Sequence, residues 1–466
     1  MDRRRFLTAA AAGAALAALP GRAAGGASDA SGSGRRGKAA LGAAPVEALP
    51  SARQLAWQRD QRALFIHFGI NTFTGREWGD GRESPRLFAP AALDASQWAR
   101  AARDTGFRAL ILTAKHHDGF CLWPSRLTRH TVASSPWRGG GGDVVREFTD
   151  ACRTAGLGAG LYLSPWDRHE PSYGSPAYND FYCGQLEELL TDYGPLQEVW
   201  FDGANGEGPS GRKQVYDWAR IWATVRRLQP NALIFSDAGP DLRWIGNERG
   251  LAGDPDWAAV DPATVPLPGA SGAAVTAMLE HGDPRGSAWR PGEADVSLRP
   301  GWFYHAAEDA KIKSLAELVE IYFGSVGRNA KLLLNVPPTP AGLLHHGDVD
   351  RLADFDQRLH TLFDPFRAVP GKWQWRGTRG VLDFGRWQPV SLARLEEPVQ
   401  QGQRVAAYRL EGEAAGGRWV ELSRGTTIGV CKLDRIAAGS YLRRLRLRVD
   451  SALLPPLPPL LTVYAT

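Results

Sequence analysis

The chain has 466 residues, 43% of them hydrophobic, with a formal charge of +5 and 17 tryptophans. Its length exceeds one average domain and suits a barrel of about 250 residues with a smaller module attached. The arginines are scattered and form no basic stripe with interleaved aromatics, which argues against a nucleic-acid partner.

The chain opens on Arg3-Arg4-Arg5-Phe6-Leu7, a twin-arginine pattern, ahead of an apolar run from Thr8 to Leu19. Pro20 and the small residues Ala23 and Ala24 follow, as expected near a signal-peptidase site. The run is short of the roughly 20 residues of a membrane span. Residues 25–44 are rich in Gly, Ala and Ser and read as a flexible linker. Residues 1–44 are therefore expected to be an export signal and linker, with the mature chain periplasmic or extracellular and off the membrane. An uncleaved anchor is the alternative.

From Ala52 to Phe363 strand and helix patterns alternate. Strands are expected at 64–67, 109–115, 159–164, 198–202, 232–237, 295–299 and 331–336, and helices at 95–104, 143–155, 179–193, 214–228 and 315–326. Asp143 and Ser314 suit N-caps, and Gly106, Gly156 and Gly194 suit helix C-termini. Repeated βα units imply a parallel sheet covered by helices. Their number favours an α/β fold of the (β/α)8 TIM-barrel kind, over residues 45–364. The pattern fails between Gly246 and Gly292, where Gly, Pro, Asp and Trp predict a long irregular loop region over the barrel mouth.

After Pro365 short alternating runs appear at 381–384, 389–395, 404–410, 418–422, 426–430 and 445–449. This predicts a C-terminal β-sandwich over 365–466. Pro455 to Pro459 reads as an extended edge segment. The four cysteines, Cys121, Cys152, Cys183 and Cys431, have no C-x-x-C spacing. They are read as buried thiols; an oxidising compartment would permit disulfides, but no pairing is assigned.

Polar groups stand where the apolar strands end, which is where a β/α barrel places its functional groups. The first strand runs into His67, the second into Lys115-His116-His117-Asp118-Gly119-Phe120, the fourth into Asp202-Gly203. Adjacent histidines on a strand end are expected to point apart, so they make a poor metal site. Neutral imidazoles donating to hydroxyls of a small polar ligand are the better reading, and no metal or cofactor is expected. Asp202 suits a nucleophile or general base, or else a structural cap. Glu248 lies in a glycine-flanked loop. It is the first choice for a second carboxyl group, and Glu293 is its rival.

Together these residues resemble the α-L-fucosidases of glycoside hydrolase family 29. The resemblance runs over the whole barrel. It is carried by Phe65-Ile66-His67-Phe68-Gly69, Arg76-Glu77-Trp78-Gly79, Ala114 to Phe120, Tyr162-Leu163-Ser164, Val199-Trp200-Phe201-Asp202-Gly203 and Asp295 to Trp302. Trp244 to Glu248 and Arg424-Gly425-Thr426-Thr427-Ile428-Gly429 resemble the subfamily that cleaves α-1,3/1,4-linked fucose from branched glycans. The resemblance implies a retaining double displacement on a fucosylated oligosaccharide, with Asp202 as nucleophile and Glu248 as acid/base. It implies that His67, Glu77, Trp78, His116, His117, Tyr162 and Trp200 hold fucose, and that Trp302 gives an apolar wall. The C-terminal sandwich resembles galactose-binding-like modules. Transfucosylation, broad linkage specificity, or glycan binding without catalysis are the other readings. Cys121 is read as packing.

Overall fold

Eight parallel strands form the sheet on which everything else is mounted. In chain order they are β1 (Arg62–Ile66), β2 (Ala109–Lys115), β3 (Gly158–Leu163), β4 (Glu198–Trp200), β5 (Leu233–Phe235), β6 (Arg243–Trp244), β9 (Gly292–Ser297) and β10 (Lys331–Asn335). A small antiparallel pair, β7 (Ala259–Val260) and β8 (Ala288–Trp289), lies between β6 and β9. The computed structural model describes residues 48–437 and 439–465; the expected export signal and linker lie outside them.

The strand order is β5-β4-β3-β2-β1-β10-β9-β6, and a single parallel bridge between Phe235 and Leu242 joins the two edges. The expected barrel is therefore present. Its strands are apolar runs because both faces are covered: all seven residues of β2 are buried. Around the sheet run α1 (Ala52–Asp60), α2 (Ile70–Thr74), α3 (Ala95–Asp104), α4 (Val144–Ala155), α5 (Ala177–Asp192), α6 (Trp218–Leu228), α7 (Ala273–His281), α8 (Leu315–Gly324) and α9 (His346–Phe363). Asp143 caps α4 through Arg146 N, and Ser314 with Glu317 forms a capping box on α8. Gly106, Gly156 and Gly194 all have positive φ, as helix-ending glycines do.

The barrel interior is layered. Phe65, Ile111, Tyr162, Trp200, Phe235 and Leu333 fill the middle as one buried cluster. Towards the N-terminal ends of the strands lie Glu198, Glu293 and Lys331, all buried. Trp57 of α1 closes this end, donating its indole N–H to Glu198 Oε2 at 2.7 Å while Lys331 Nζ lies 4.7 Å from its ring centre. Burial, with the charge of Glu198 added, pushes the Glu293 carboxyl well above the ordinary glutamate range.

Beyond Phe363 the chain forms two antiparallel sheets. One has the order β11-β12-β17-β14-β15 and the other β16-β13-β18. Their ranges are β11 (Lys372–Arg376), β12 (Arg379–Pro389), β13 (Leu392–Glu396), β14 (Val405–Glu413), β15 (Trp419–Gly425), β16 (Lys432–Arg435), β17 (Tyr441–Ala452) and β18 (Leu460–Tyr464). Leu410, Leu445 and Leu447 of the first sheet share a buried cluster with Leu395, Leu461 and Val463 of the second, so the two make a sandwich. All four cysteines are buried free thiols. No helix among the described residues is long and apolar enough to cross a membrane.

Two stretches depart from the sequence reading. The region 246–292 is not wholly irregular: it contains the β7/β8 pair and α7, whose Ala-rich run begins after Gly272 and stops at Gly282. Residues 426–430, expected as a strand, form a connection between β15 and β16, with both threonine hydroxyls turned to the barrel.

The Lys115-to-Phe120 motif is fixed from below. Lys115, fully buried, places Nζ 2.8 Å from Asp167 Oδ2 and 2.8 Å from Gln185 Oε1. Gln185 Nε2 also approaches Cys121 Sγ at 3.3 Å, so this sulfur packs within the scaffold, as expected. Asp118 accepts from Phe120 N at 2.7 Å and is 2% exposed. Burial, offset in part by that bond and reinforced by Glu83, raises its pKa from 3.8 to about 7. The folded chain thus holds this proton more tightly than the unfolded chain. The associated stability is complete below about pH 4 and is lost as pH rises through about 7. Asp118→Asn should therefore gain on the parent protein as pH rises over that window, by on the order of a few kcal/mol. Urea denaturation of both proteins at several pH values checks this, and parallel stability curves would refute it.

Candidate active site

The carboxyl ends of the strands converge on one mouth. His67 follows β1 and is 5% exposed. Its Nδ1 lies 2.8 Å from Asn335 Oδ1, at the end of β10. Asn335 Nδ2 is within 2.9 Å of both Ser297 Oγ and Trp302 O, which orients the amide and makes Oδ1 the acceptor. His67 therefore carries its proton on Nδ1.

The same logic fixes His117. Ser164 Oγ donates to Trp166 O at 2.6 Å, so it accepts from His117 Nδ1 at 2.7 Å. Nε2 is then the atom that faces Asp202 Oδ2, 4.0 Å away. In the neutral state both rings present an acceptor at Nε2, not the donor expected from sequence. Nor do His116 and His117 point apart. Regular β2 ends at Lys115 after a register shift, so alternation stops, and the two rings lie side by side with centres 4.1 Å apart.

Asp202 stands two residues beyond β4 and is 5% exposed. Its Oδ1 accepts from Ala204 N at 2.7 Å and its Oδ2 from the Tyr162 hydroxyl at 3.2 Å. Gly203 is required by close approach: a Cβ there would strike the carboxylate of Asp237, two residues beyond β5. Asp237 Oδ2 in turn accepts from Gly269 N at 3.1 Å. The long region after β6 thus reaches the rim of the mouth beside Asp202.

Around this carboxylate runs a belt of rings. Trp302 lies 5.0 Å from His67, His67 5.7 Å from His116, His117 4.9 Å from Trp166, and Trp166 5.8 Å from Trp78. Trp200 is placed deeper than the belt. It stacks on Phe235 at 4.2 Å, packs on Tyr162 at 5.3 Å, and gives its indole N–H to Glu293 Oε2 at 3.0 Å. Glu77 holds the Trp302 loop: its carboxylate accepts from Trp302 N at 2.7 Å and from Phe303 N at 3.3 Å, and Oε1 is 2.8 Å from His305 Nε2.

The structure separates the two candidate second carboxyls. Glu293 is fully buried near the start of β9, on the inner side of Trp200. Glu248 is half-buried on the loop after β6, on the mouth side. That loop is braced at its base and within itself: Trp244 Nε1 of β6 bonds Asp295 Oδ1 of β9 at 2.7 Å, and Asn247 Nδ2 bonds Leu251 O at 2.9 Å. Sequence reasoning missed Trp166, Asn335, Asp237 and Asp295. The first three obey the strand-end rule that found Asp202, each lying at or just beyond the end of a predicted apolar strand. Asp295 gave no such signal, since it sits inside its strand. Among the described residues no group of three or more His, Cys, Asp or Glu could hold a metal ion.

The family profile "Alpha-L-fucosidase" matches residues 71–361. The chain is 43% identical over 454 residues to α-L-fucosidase 1 of Arabidopsis thaliana, covering 90% of this chain and 88% of the relative. Among solved structures it is similar to a glycoside hydrolase 29 family member from an unknown rumen bacterium, with TM-score 0.84, 40% identity and coverage of 91% and 78%. It is also similar to a Ruminococcus gnavus GH29 fucosidase solved with fucose, with TM-score 0.81, 31% identity and coverage of 92% and 97%. A profile match across most of the barrel and likenesses of this length show that the chain belongs to the α-L-fucosidase family, glycoside hydrolase family 29.

Proposed function

We propose that this α-L-fucosidase is an exo-acting, retaining enzyme in which Asp202 is the nucleophile and Glu248 the acid/base, acting on α-1,3/1,4-linked fucose in branched oligosaccharides. The observation that carries the reading is the setting of Asp202. It is a buried strand-end carboxylate, hydrogen-bonded to a backbone N–H and a tyrosine, beneath a belt of imidazole and indole rings. A carboxylate held in place at the end of a barrel strand suits a nucleophile. Fucose has hydroxyls on one side and a C6 methyl on the other, and a pocket of ring nitrogens and indole faces suits that division.

In the first step an Asp202 oxygen bonds to the anomeric carbon as the glycosidic C–O bond breaks, and Glu248 gives its proton to the leaving oxygen. In the second, Glu248 takes a proton from water, whose oxygen displaces Asp202. Two inversions give net retention, a chemistry that calls for carboxyl groups about 5–5.5 Å apart. His67, His116, His117, Glu77, Trp78, Tyr162, Trp200 and Trp302 are proposed to hold the sugar, Trp200 and Glu77 chiefly by supporting the rings and loop that touch it. Export by the twin-arginine route belongs to the proposal, supported by the segment Arg3 to Ala24.

Asp202→Gly should lose several orders of magnitude in kcat. With azide it should form β-fucosyl azide, by a single inversion. Trapping the parent enzyme with a 2-fluoro fucosyl fluoride should label Asp202, and a label on any other carboxylate overturns the assignment.

Glu248→Ala should slow poor leaving groups far more than activated aryl ones. Azide should partly rescue it, giving α-fucosyl azide by net retention. If another carboxylate variant shows this pattern and Glu248→Ala does not, the acid/base lies elsewhere.

The Gly269 contact beside Asp202 supports a subsite beyond fucose, because it brings the long loop region to the rim. Binding energy from a neighbouring sugar could then serve to orient the reacting groups. The expected kcat/KM on a Lewis a trisaccharide exceeds that on 2′-fucosyllactose by about tenfold or more. Comparable values would mark a broad exo-fucosidase, and predominant transfer to sugar acceptors would mark a transfucosidase.

A further inference from the structure

The segment Thr426-Thr427 belongs to the sandwich by sequence but is spent on the barrel. Its partners are Asp254 and Asp256, six and eight residues after Glu248. Thr427 Oγ1 accepts from Asp256 N at 2.9 Å. Gln403 Nε2 donates to Asp256 O at 2.9 Å, while Gln403 Oε1 accepts from Ala258 N at 3.0 Å. Thr426 Oγ1 bonds the Asp254 carboxylate, and Lys432 Nζ lies 3.1 Å from each of its oxygens. Thr427 and Gln403 are 3% and 2% exposed, so these bonds are sheltered from water.

The barrel grips the same point from the other side. Arg243, 1% exposed, donates to Leu279 O at 3.1 Å and Arg290 O at 2.6 Å, and pairs with the Asp256 carboxylate. Arg243 opens the loop that carries Glu248, and Asp256 closes it. The ion pair ties the two feet of one loop together, and the sandwich fixes the closing foot by both its N–H and its C=O.

We propose that Thr427 and Gln403 are positioning residues for catalysis, through which the C-terminal module sets the place of the Glu248 loop. This rests on the reading of Glu248 as acid/base. A loop-borne acid must keep its carboxyl within hydrogen-bond reach of the leaving oxygen. A shift of about 1 Å, even one caused far from the chemistry, can cost about 10²-fold in rate. The loop is anchored on a separate module, so loss of one anchoring bond should move the acid without moving Asp202, which is held by β4 and Tyr162.

The test compares Thr427→Val, Thr427→Ser and Glu248→Ala on a fucosyl oligosaccharide and on an aryl fucoside with an activated leaving group. Thr427→Val should lower kcat/KM on the oligosaccharide by about tenfold or more. Its kcat/KM on the activated aryl fucoside, which reports only the first step, and its rate of labelling by a 2-fluoro fucosyl fluoride should stay within about twofold of the parent. Only the basic limb of its pH profile should move. Thr427→Ser, which keeps the acceptor oxygen, should restore the parent behaviour. An equal loss on both substrates would make Thr427 merely structural and overturn the inference, and so would no loss on either. If Glu248→Ala shows the leaving-group signature and Thr427→Val does not, the positioning role fails alone. If Glu248→Ala lacks the signature, the acid/base reading fails, and the inference with it.

Discussion

A buried cation underlies the mouth of this barrel. Lys115 is enclosed by protein, with Asp167 and Gln185 each 2.8 Å away and the rings of Tyr178, Phe181 and Tyr182 within 6 Å of its nitrogen. Burial alone would raise the Asp167 pKa, but Lys115 and two backbone N–H donors outweigh it and hold the carboxyl below its ordinary value. Removing one member would leave the other charged and unpartnered in a dry place, at a cost of about 3–5 kcal/mol. The pair joins the end of β2 to the loop after β3. Both histidines and Trp166 follow from it, because they sit directly beyond its two ends. An electrostatic clamp buried beneath the site thus sets the geometry of a belt that touches solvent only lightly.

The sequence could be read furthest where local chemistry and fold make the same demand. Asp143 and Ser314 cap helices because their side chains satisfy free N–H groups, which needs no tertiary context. Apolar runs ending in His67, His116 and Asp202 announced the mouth because a barrel strand is buried until it ends. Legibility failed where a neighbour decides the outcome. β6 has two residues, Arg243 and Trp244, too few for any periodicity, and exists because β9 lies beside it. Residues 426–430 alternate like a strand, yet their threonines bond Asp254 and Asp256, more than a hundred residues away in the chain. The directions of His116 and His117 depended on a register shift that no residue type reveals. Glu248 and Glu293 were indistinguishable by spacing, and only the third dimension put Trp200 between Glu293 and the mouth.

The two modules also divide the labour of holding carboxylates. Asp202 is fixed by the barrel itself, through Tyr162 and the turn at Gly203. The Glu248 loop is instead strung between Arg243, in the barrel sheet, and hydroxyl and amide groups of the sandwich. The sandwich is thereby placed by polar bonds as well as by packing: Asn329, just before β10, accepts from Val430 N at 2.7 Å and donates to Cys431 O at 3.0 Å.

The proton positions on the imidazoles have a consequence of their own. His67 and His117 have already given their Nδ1 protons to Asn335 and Ser164. When neutral, each therefore carries its lone pair on Nε2, the atom that in His117 faces Asp202 Oδ2 at 4.0 Å. Such a surface is blind to the oxygen of an incoming group and sees the hydrogen on it. An alcohol can satisfy it; an ether or a carbon–fluorine bond of similar size cannot, since neither brings a proton. If these rings hold the sugar as proposed, selectivity for bare hydroxyls follows from which ring nitrogen the scaffold occupies.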